Sequence, residues 1–583
     1  MNRFLLILTL FVTIVFASEN NVTKDDIKYQ LIINGAKGLD KSKIAKAVGV
    51  ESKDLFNLFS SKNYIKKSFI SNIEDSLKNY LEGIGYFKYK IAIKRYDNNK
   101  TIVVNIDPGR VIKVKDIKVD SNYNVKKYIT FSVGSNFEPQ KFIEIKNDIK
   151  NALLDDGYCQ YKLDTKAYVD IDNYSAKLKY FVRKGPICHF GKLTIEHKPK
   201  DIKKGVILSR VKFQKGDRFS TKLIKNSYNA LNSLNTFANI RLSYELDKNS
   251  TIVDTYLSLD KRRFLRRYTL SLGYDSEVGI RFKGSWEKRN IWGNAKKFSV
   301  STELSKKVQK LNLNLFAPAI FNIKNNYFDL YSSLGYSIVK TDGYREKKIL
   351  YDTHLKWNRG ALTIKGGIGI EDLDLTLFSY QPGLIGGYFY LVYPYVEAIY
   401  DKRDSKIDPK NGYYLRAYSE WGIGKKRGSA QYLKYLIEAR VIKSFGDLTL
   451  SAVAKLGTIH TVTGYLPASK LFLGGGLFSN RAYSKDEIGV ITSNRTFNKL
   501  GGKSYFNLQL EANYKIYKKL YGAIFYDRTV INNREYSWSG KHIDTIGFGL
   551  RYKTPIGPIK IDVGFNMHNK KDHAISIMLG QSF

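Results

Sequence analysis

The sequence predicts an α+β chain: three β-α-α-β-β modules followed by a transmembrane antiparallel β-barrel of about sixteen strands. Three observations lead there. An apolar leader opens the chain, one plan recurs three times in the first half, and residues 264–583 alternate in hydropathy, strand after strand.

Met1-Asn2-Arg3 is a short basic start, and Phe4 to Phe16 is apolar apart from Thr9 and Thr13. Val15-Phe16-Ala17 offers small residues at both positions before a cut, so residues 1–17 are expected to be a secretory signal removed after Ala17. No apolar run reaches the ~20 residues that a transmembrane helix needs. An exported chain follows, and a helical membrane protein is excluded.

The repeat is an amphipathic helix, a tight turn and a two-stranded hairpin. The turns are Gly85-Tyr86-Phe87, Gly157-Tyr158-Cys159 and Asn235-Thr236-Phe237, each following an apolar helical stripe such as Leu77–Leu81, Ile149–Leu154 or Tyr228–Leu231. Gly85 and Gly157 can stop a helix in the left-handed conformation, and Asn is the tolerated substitute at 235. Hairpin strands follow at Tyr89–Tyr96 with Thr101–Ile106, at Lys162–Val169 with Ala176–Val182, and at Ile240–Leu246 with Ile252–Leu259. Alternation at Ile91, Ile93 and Val103 is expected to mark the helix-covered face of the first sheet. A further strand opens each module, at Tyr29–Ile33, Ile112–Val119 and Gly191–Ile195.

From about Arg266 the helical period gives way to ~10-residue alternating segments between Gly, Asn, Lys and Asp turns, the pattern of a transmembrane barrel. Tyr268, Leu270 and Leu272 share one face of the first segment, and Ile575, Ile577, Leu579 and the terminal Phe583 share one face of the last. Residues between the apolar positions include Gln509, Glu511, Arg551, Lys560 and Asp562, which suits a wet lumen. About 20 residues per strand and connection gives sixteen strands.

The 96 Lys+Arg against 54 Asp+Glu give a net charge of +42, yet Lys is spread along the whole chain and no nucleic-acid motif is present. Cys159 and Cys188 flank the hairpin that turns at Asp172–Ser175, so they are placed to face each other across its two strands. Both a disulfide, natural in an oxidising compartment, and two free thiols fit that placement. The seven histidines are scattered and are expected at surfaces and turns. No metal site, cofactor or catalytic motif is expected, so the chain does not read as an enzyme.

The three-fold plan resembles the polypeptide-transport-associated (POTRA) domain, with module limits of 24–109, 110–186 and 187–263 ahead of a barrel at 264–583. The longest loop of the barrel half carries Gly474-Gly475-Gly476-Leu477-Phe478-Ser479-Asn480-Arg481-Ala482-Tyr483. It is similar to the sixth-loop motif, usually Val-Arg-Gly-Phe/Tyr, of the outer-membrane assembly superfamily that includes BamA and TamA. Arg481 and Tyr483 match that motif; Asn480 and Ala482 depart from it. The resemblance implies that the loop folds back into the barrel and that Arg481 meets Phe525 and Asp527 of strand 13, with Glu511 of strand 12 on the same lumenal face.

The resemblance also implies a Gram-negative outer membrane, with the modules in the periplasm. The three modules favour the TamA branch, whose members help insert β-barrel proteins such as autotransporters through a lateral seam between first and last strands. Client outer-membrane β-barrel proteins, outer-membrane lipid and a TamB-like inner-membrane-anchored partner are then expected. A two-partner-type secretion channel and a BamA-like general insertase are the alternatives.

Overall fold

A computed structural model describes residues 28–50, 63–247, 249–275, 279–324, 326–406, 408–425, 430–517, 519–554 and 557–579. The expected signal and Phe583 lie outside them, as does the side chain of Leu579. The chain divides into two compact units. One takes in the residues up to Thr194 with Phe213–Asn226 and Leu242–Tyr256; the other holds Ile195–Lys212, Ser227–Arg241 and the chain from Leu257.

The first module runs β1 (Lys28–Gly35), α1 (Lys41–Ala47), β2 (Asn63–Lys66), α2 (Ile73–Gly83), β3 (Lys90–Tyr96) and β4 (Thr101–Asp107), in a sheet ordered β2-β1-β4-β3. Asp40 caps α1 by accepting the Ser42 N–H at 2.8 Å. Ile73, Leu77 and Leu81 form one stripe of α2 and pack in one core with Ile102, Val104 and Ile106 of β4. Val103 therefore does not share the helix-covered face with Ile91 and Ile93. Those two lie opposite Ile106 and Val104, and a strand's period of two sends Val103 to the other side. Strand β2, which pairs antiparallel with β1, is an addition to the expected order.

The turn after α2 needs its glycine. Gly85 has φ 92°, and a Cβ there would stand 2.0 Å from the Phe137 carbonyl oxygen. Gly157 (φ 81°) and Asn235 (φ 55°) take the same left-handed conformation in the later modules.

The second module has β5 (Lys113–Ser121), α3 (Pro139–Asp155), β6 (Lys162–Asp170) and β7 (Ser175–Arg183), ordered β5-β7-β6. Its first helix is absent; residues 126–128 form a turn instead. Pro139 starts α3, whose Phe142, Ile145, Ile149 and Leu153 pack in one core with Ala176, Leu178, Tyr180 and Val182 of β7. The third module has β8 (His189–His197), α4 (Lys204–Leu208), α5 (Thr221–Asn232), β9 (Phe237–Tyr244) and β10 (Ile252–Lys261), in a sheet ordered β8-β10-β9.

Cys159 and Cys188 are joined as a disulfide with their Cα atoms 5.9 Å apart. They do not face each other across paired strands. The hairpin register ends at Lys162 opposite Arg183, and the bond ties the turn after α3 to the residue before β8. The Cys188 N–H, donating to the Gly157 carbonyl at 2.8 Å, brings the start of the third module to that turn.

The barrel begins with β11 (Arg266–Asp275), β12 (Gly279–Arg289), β13 (Lys297–Leu304), β14 (Val308–Ile323), β15 (Asn326–Lys340) and β16 (Tyr344–Arg359). It continues through β17 (Leu362–Leu377), β18 (Gly387–Asp401), β19 (Gly412–Gly424), β20 (Gln431–Phe445) and β21 (Leu448–Thr463). A small hairpin, β22 (Ile491–Ser493) and β23 (Thr496–Phe497), lies within the long loop that follows. The last strands are β24 (Ser504–Tyr517), β25 (Leu520–Asn532), β26 (Ile543–Thr554), β27 (Gly557–Asn566) and β28 (His573–Leu579). Sixteen strands, β11–β21 and β24–β28, close into an antiparallel barrel. Alternation sorts them as the sequence suggests: Leu270, Leu510, Ile546 and Phe548 are exposed on the outer wall, while Asp527 and Asp562 are buried. Closure matters because an unpaired backbone group in hydrocarbon costs several kcal/mol.

Candidate functional site

The loop between β21 and β24 turns back into the barrel. Its Leu466, Ala468, Ile488 and Leu500 share one buried cluster with Leu373, Leu391, Tyr432 and Ile459 of the barrel strands. The loop thus contributes to the core.

Arg481 stands at the centre of the loop's polar contacts, only 3% exposed. It donates to Asp527 of β25 from its backbone N–H (3.0 Å), from Nε (2.9 Å) and from Nη2 (2.7 Å). Nη1 donates to Glu511 of β24. The guanidinium lies 3.5 Å from the centroid of the Phe525 ring. A forked ion pair stacked on an aromatic face uses the planarity that distinguishes Arg from Lys.

A second cation completes the cluster. Arg551 of β26 pairs with Asp562 of β27, its Nη2 at 3.0 Å, and reaches Glu511 at 3.4 Å. Asp562 also lies 3.9 Å from Arg481. Two guanidinium groups, one from the loop and one from β26, therefore sit among three carboxylates of β24, β25 and β27. Each ion has lost water and is held by opposite charge, so removing one partner exposes the others to the full desolvation cost.

The two departures from the family motif have local explanations. Asn480 is fully buried; it accepts the Thr545 hydroxyl at 2.7 Å and donates to the Ile543 carbonyl at 3.2 Å. Ala482 has no left-handed backbone, so no glycine is needed there; Gly475 (φ 99°) and Gly476 (φ 86°) take those angles upstream. The Tyr483 hydroxyl donates to Asp572 at 2.8 Å and accepts the Asn566 amide at 2.7 Å, which ties the loop to the β27–β28 connection. Close approach of the loop backbone depends on Gly564, where a Cβ would stand 2.5 Å from the Arg481 carbonyl oxygen.

Sequence reasoning missed a second anchor. Lys470, 7% exposed, donates to Glu371 of β17 at 3.1 Å and lies 3.6 Å from Glu420 of β19. Its ammonium sits 4.0 Å from the centroid of the Tyr393 ring. The hydroxyls of Tyr393 and Tyr432 each donate to one of these carboxylates at 2.9 Å. The available signal was a lysine amid Leu466, Ala468, Leu471 and Phe472, together with glutamates at inward strand positions.

Among the described residues, β11 and β28 are in register at Tyr274 opposite Leu579 and Asp275 opposite Met578, whereas β11 follows β12 from Arg266 to Asp275. Tyr268, Leu270, Leu272, Ile575 and Ile577 are exposed on the outer wall around this junction. Arg481 and its partners are brought together by the lumen; the junction residues form a separate surface.

A sixteen-stranded barrel with an inward-folded, arginine-anchored loop, preceded by three α+β modules, defines an outer-membrane protein of the transport and assembly class. Among known proteins, a sequence profile described as the Omp85 superfamily domain matches residues 290–583. This chain belongs to the Omp85 superfamily. It is similar to the outer membrane protein assembly factor BamA of Nitratidesulfovibrio vulgaris, 20% identical across 93% of this chain and 70% of that relative. The BamA of Buchnera aphidicola subsp. Acyrthosiphon pisum is 22% identical across 53% of this chain and 52% of its own length. The crystal structure of BamA from Haemophilus ducreyi lacking POTRA domains 1–3 shares the fold, with a TM-score of 0.52 at 14% identity, over 80% of this chain and 99% of that one. The protein resides in the outer membrane of a Gram-negative bacterium, with its POTRA modules in the periplasm.

Proposed function

We propose that this protein is an outer-membrane assembly factor that helps insert client β-barrel proteins, opening sideways between β11 and β28. The supporting observation is that, among the described residues, that pair is in register at two positions, against the full-length pairing of β11 with β12. An edge strand in lipid is costly, and pairing with a client strand removes the cost. Arg481, Tyr483, Phe525, Asp527 and Glu511 hold the loop inside the barrel and carry out no bond-breaking chemistry. Module edges such as β3 and β6 receive an extended client by strand addition.

Within the superfamily we assign the chain to the TamA-like branch, on the strength of three modules. That assignment carries an exported precursor cleaved after Ala17, autotransporters among the clients and a TamB-like partner. The working division is 24–109, 110–186 and 187–263 for the modules and 264–583 for the barrel. Capture of partners by the periplasmic modules from envelope extract separates this branch from a general insertase.

The test of lateral opening is a cysteine pair at Tyr274 and Leu579, which stand opposite in register. The native cysteines are already bonded to each other. Oxidation should stall client assembly and reductant should restore it, with the unsubstituted chain, whose own disulfide meets the same reductant, as the control for both treatments. Undiminished assembly by the crosslinked protein overturns lateral opening. A large steady pore in a planar bilayer would favour the secretion-channel reading instead.

A further inference from the structure

Two of the scattered histidines converge. His542 follows the loop from β25 to β26, His568 lies in the connection from β27 to β28, and between them stands Asp544 near the start of β26. One ligand atom from each lies within 4.8 Å of the other two. His542 Nε2 is 3.3 Å from Asp544 Oδ2, and His568 Nε2 is 3.8 Å from the same oxygen. A tetrahedral zinc ion, with bonds of ~2.0–2.2 Å, sets neighbouring ligand atoms about 3.3 Å apart. Two sides, at 3.3 and 3.8 Å, are close to that size, and the third lies within 4.8 Å.

The hydrogen bonds around the cluster orient it. His542 Nδ1 lies 2.8 Å from the Gly540 carbonyl oxygen. A carbonyl only accepts, so Nδ1 carries a proton, and Nε2 is the ring nitrogen turned toward the Asp544 carboxylate, 3.3 Å away. An imidazole N–H bonded to a carbonyl is the usual outer support of a metal-binding histidine. Asp544 is fixed in turn: Oδ1 accepts the Tyr526 hydroxyl at 2.9 Å and Arg528 Nε at 2.7 Å, and Oδ2 accepts Arg528 Nη2 at 2.8 Å. The carboxylate is 5% exposed, while His568 is open to solvent, which gives an ion a route in. Arg528 weakens the carboxylate's pull, so binding is expected to be reversible.

We propose that His542, Asp544 and His568 form a divalent transition-metal site, with zinc the best-fitting ion. It clips the β25–β26 and β27–β28 connections together. Two imidazoles and one carboxylate suit Zn²⁺, Co²⁺ or Ni²⁺ and leave a position for water. They do not suit Ca²⁺ or Mg²⁺, which take more oxygen ligands. The chain enters β11 from the periplasmic modules, and successive strands alternate in direction, so these connections lie on the cell-exterior rim. The clip joins them one strand away from the β11–β28 junction, and the ion comes from the external medium.

The test uses the full chain in detergent without a histidine tag. Titration with Co²⁺ should give one saturable equivalent with visible absorption, displaced by Zn²⁺. His542→Ala and His568→Ala should each weaken binding by more than about tenfold, whereas His197→Ala, exposed in the third module, should not. Zn²⁺ should also shield His542 and His568 of the unsubstituted chain from diethylpyrocarbonate, mapped by mass spectrometry, which needs no variant to fold. No saturable binding, binding that survives both substitutions, or absence of shielding overturns the proposal. Protonation of the two rings with no metal uptake overturns it equally.

Discussion

Arg481 meets Asp527, 46 residues further along the chain, through three separate donors: its backbone N–H, Nε and Nη2. The contact fixes the loop main chain as well as the side chain, so the loop cannot slide while the ion pair persists. Buried as both groups are, the pair is stiff, because each partner is costly to leave alone.

Arg481→Ala leaves Asp527 and Glu511 buried and short of a cation, at a cost of about 3–5 kcal/mol. Asp527→Ala should cost a similar amount, and the double variant should be no worse than either alone. Protease sensitivity of the 464–503 loop and heat-induced unfolding in detergent provide the cycle. Additive losses would mean that the two do not interact.

The second anchor gives an independent prediction. Lys470→Ala strands Glu371 and Glu420 and should destabilise the barrel by about 3–5 kcal/mol. Lys470→Met combined with Glu371→Gln and Glu420→Gln should recover part of the loss, since neither carboxylate is then buried without its cation, while Lys348 keeps Glu346 at 3.0 Å. Thermal unfolding of the natural chain and these two variants in one detergent decides it.

Asn480→Val restores the usual family residue but deprives the Thr545 hydroxyl of its acceptor, which should cost about 1–3 kcal/mol. Adding Thr545→Val should return much of that. If Asn480→Val alone is as stable as the natural chain, the polar contact carries no weight.

The disulfide closes a loop with a sequence separation of 29, for which chain entropy predicts about 3–4 kcal/mol of stabilisation. Cys159→Ser with Cys188→Ser should therefore expose the 157–190 region to limited proteolysis in the intact protein while leaving the barrel's heat resistance unchanged. Equal cleavage of the two chains would rule out a stabilising role.

Asp201 in the third module has a pH signature. Burial raises its carboxyl, but the Lys261 ammonium and the Asn290 amide, each at 2.6 Å, outweigh burial and hold it below the usual range. A lowered carboxylate contributes stability that is complete above the unfolded value of ~3.9 and is lost as pH falls through the folded value. Protection factors for amide exchange at residues 289–296, taken relative to the intrinsic rate at each pH, should stay constant from neutral pH to about pH 5 and fall below about pH 4. Asp201→Asn should remove that acid dependence.

Much of the architecture was legible because strand and helix periods are local. Leu270 and Leu272, or Ile546 and Phe548, announce an outer wall two residues at a time, and the Gly85 and Gly157 turns mark the end of each helix. The same rule failed at Val103, where a slip of one residue exchanged the two faces of β4. The missing first helix of the second module was beyond it as well, since 126–128 is too short to reveal its conformation by period.

By itself, the sequence determined what each segment would be: repeated α+β modules, alternating strands and an Arg-containing loop long enough to have a role. Tertiary structure alone decided which distant groups meet. Barrel closure set Arg481 against Asp527 and Glu511, buried Lys470 between two glutamates, drew His542 and His568 to one carboxylate, and moved the Cys159–Cys188 bond from a hairpin to a junction. The reason is physical: side-chain direction follows from neighbours along the chain, whereas charge pairing depends on strand register and loop path, which no short stretch of residues encodes.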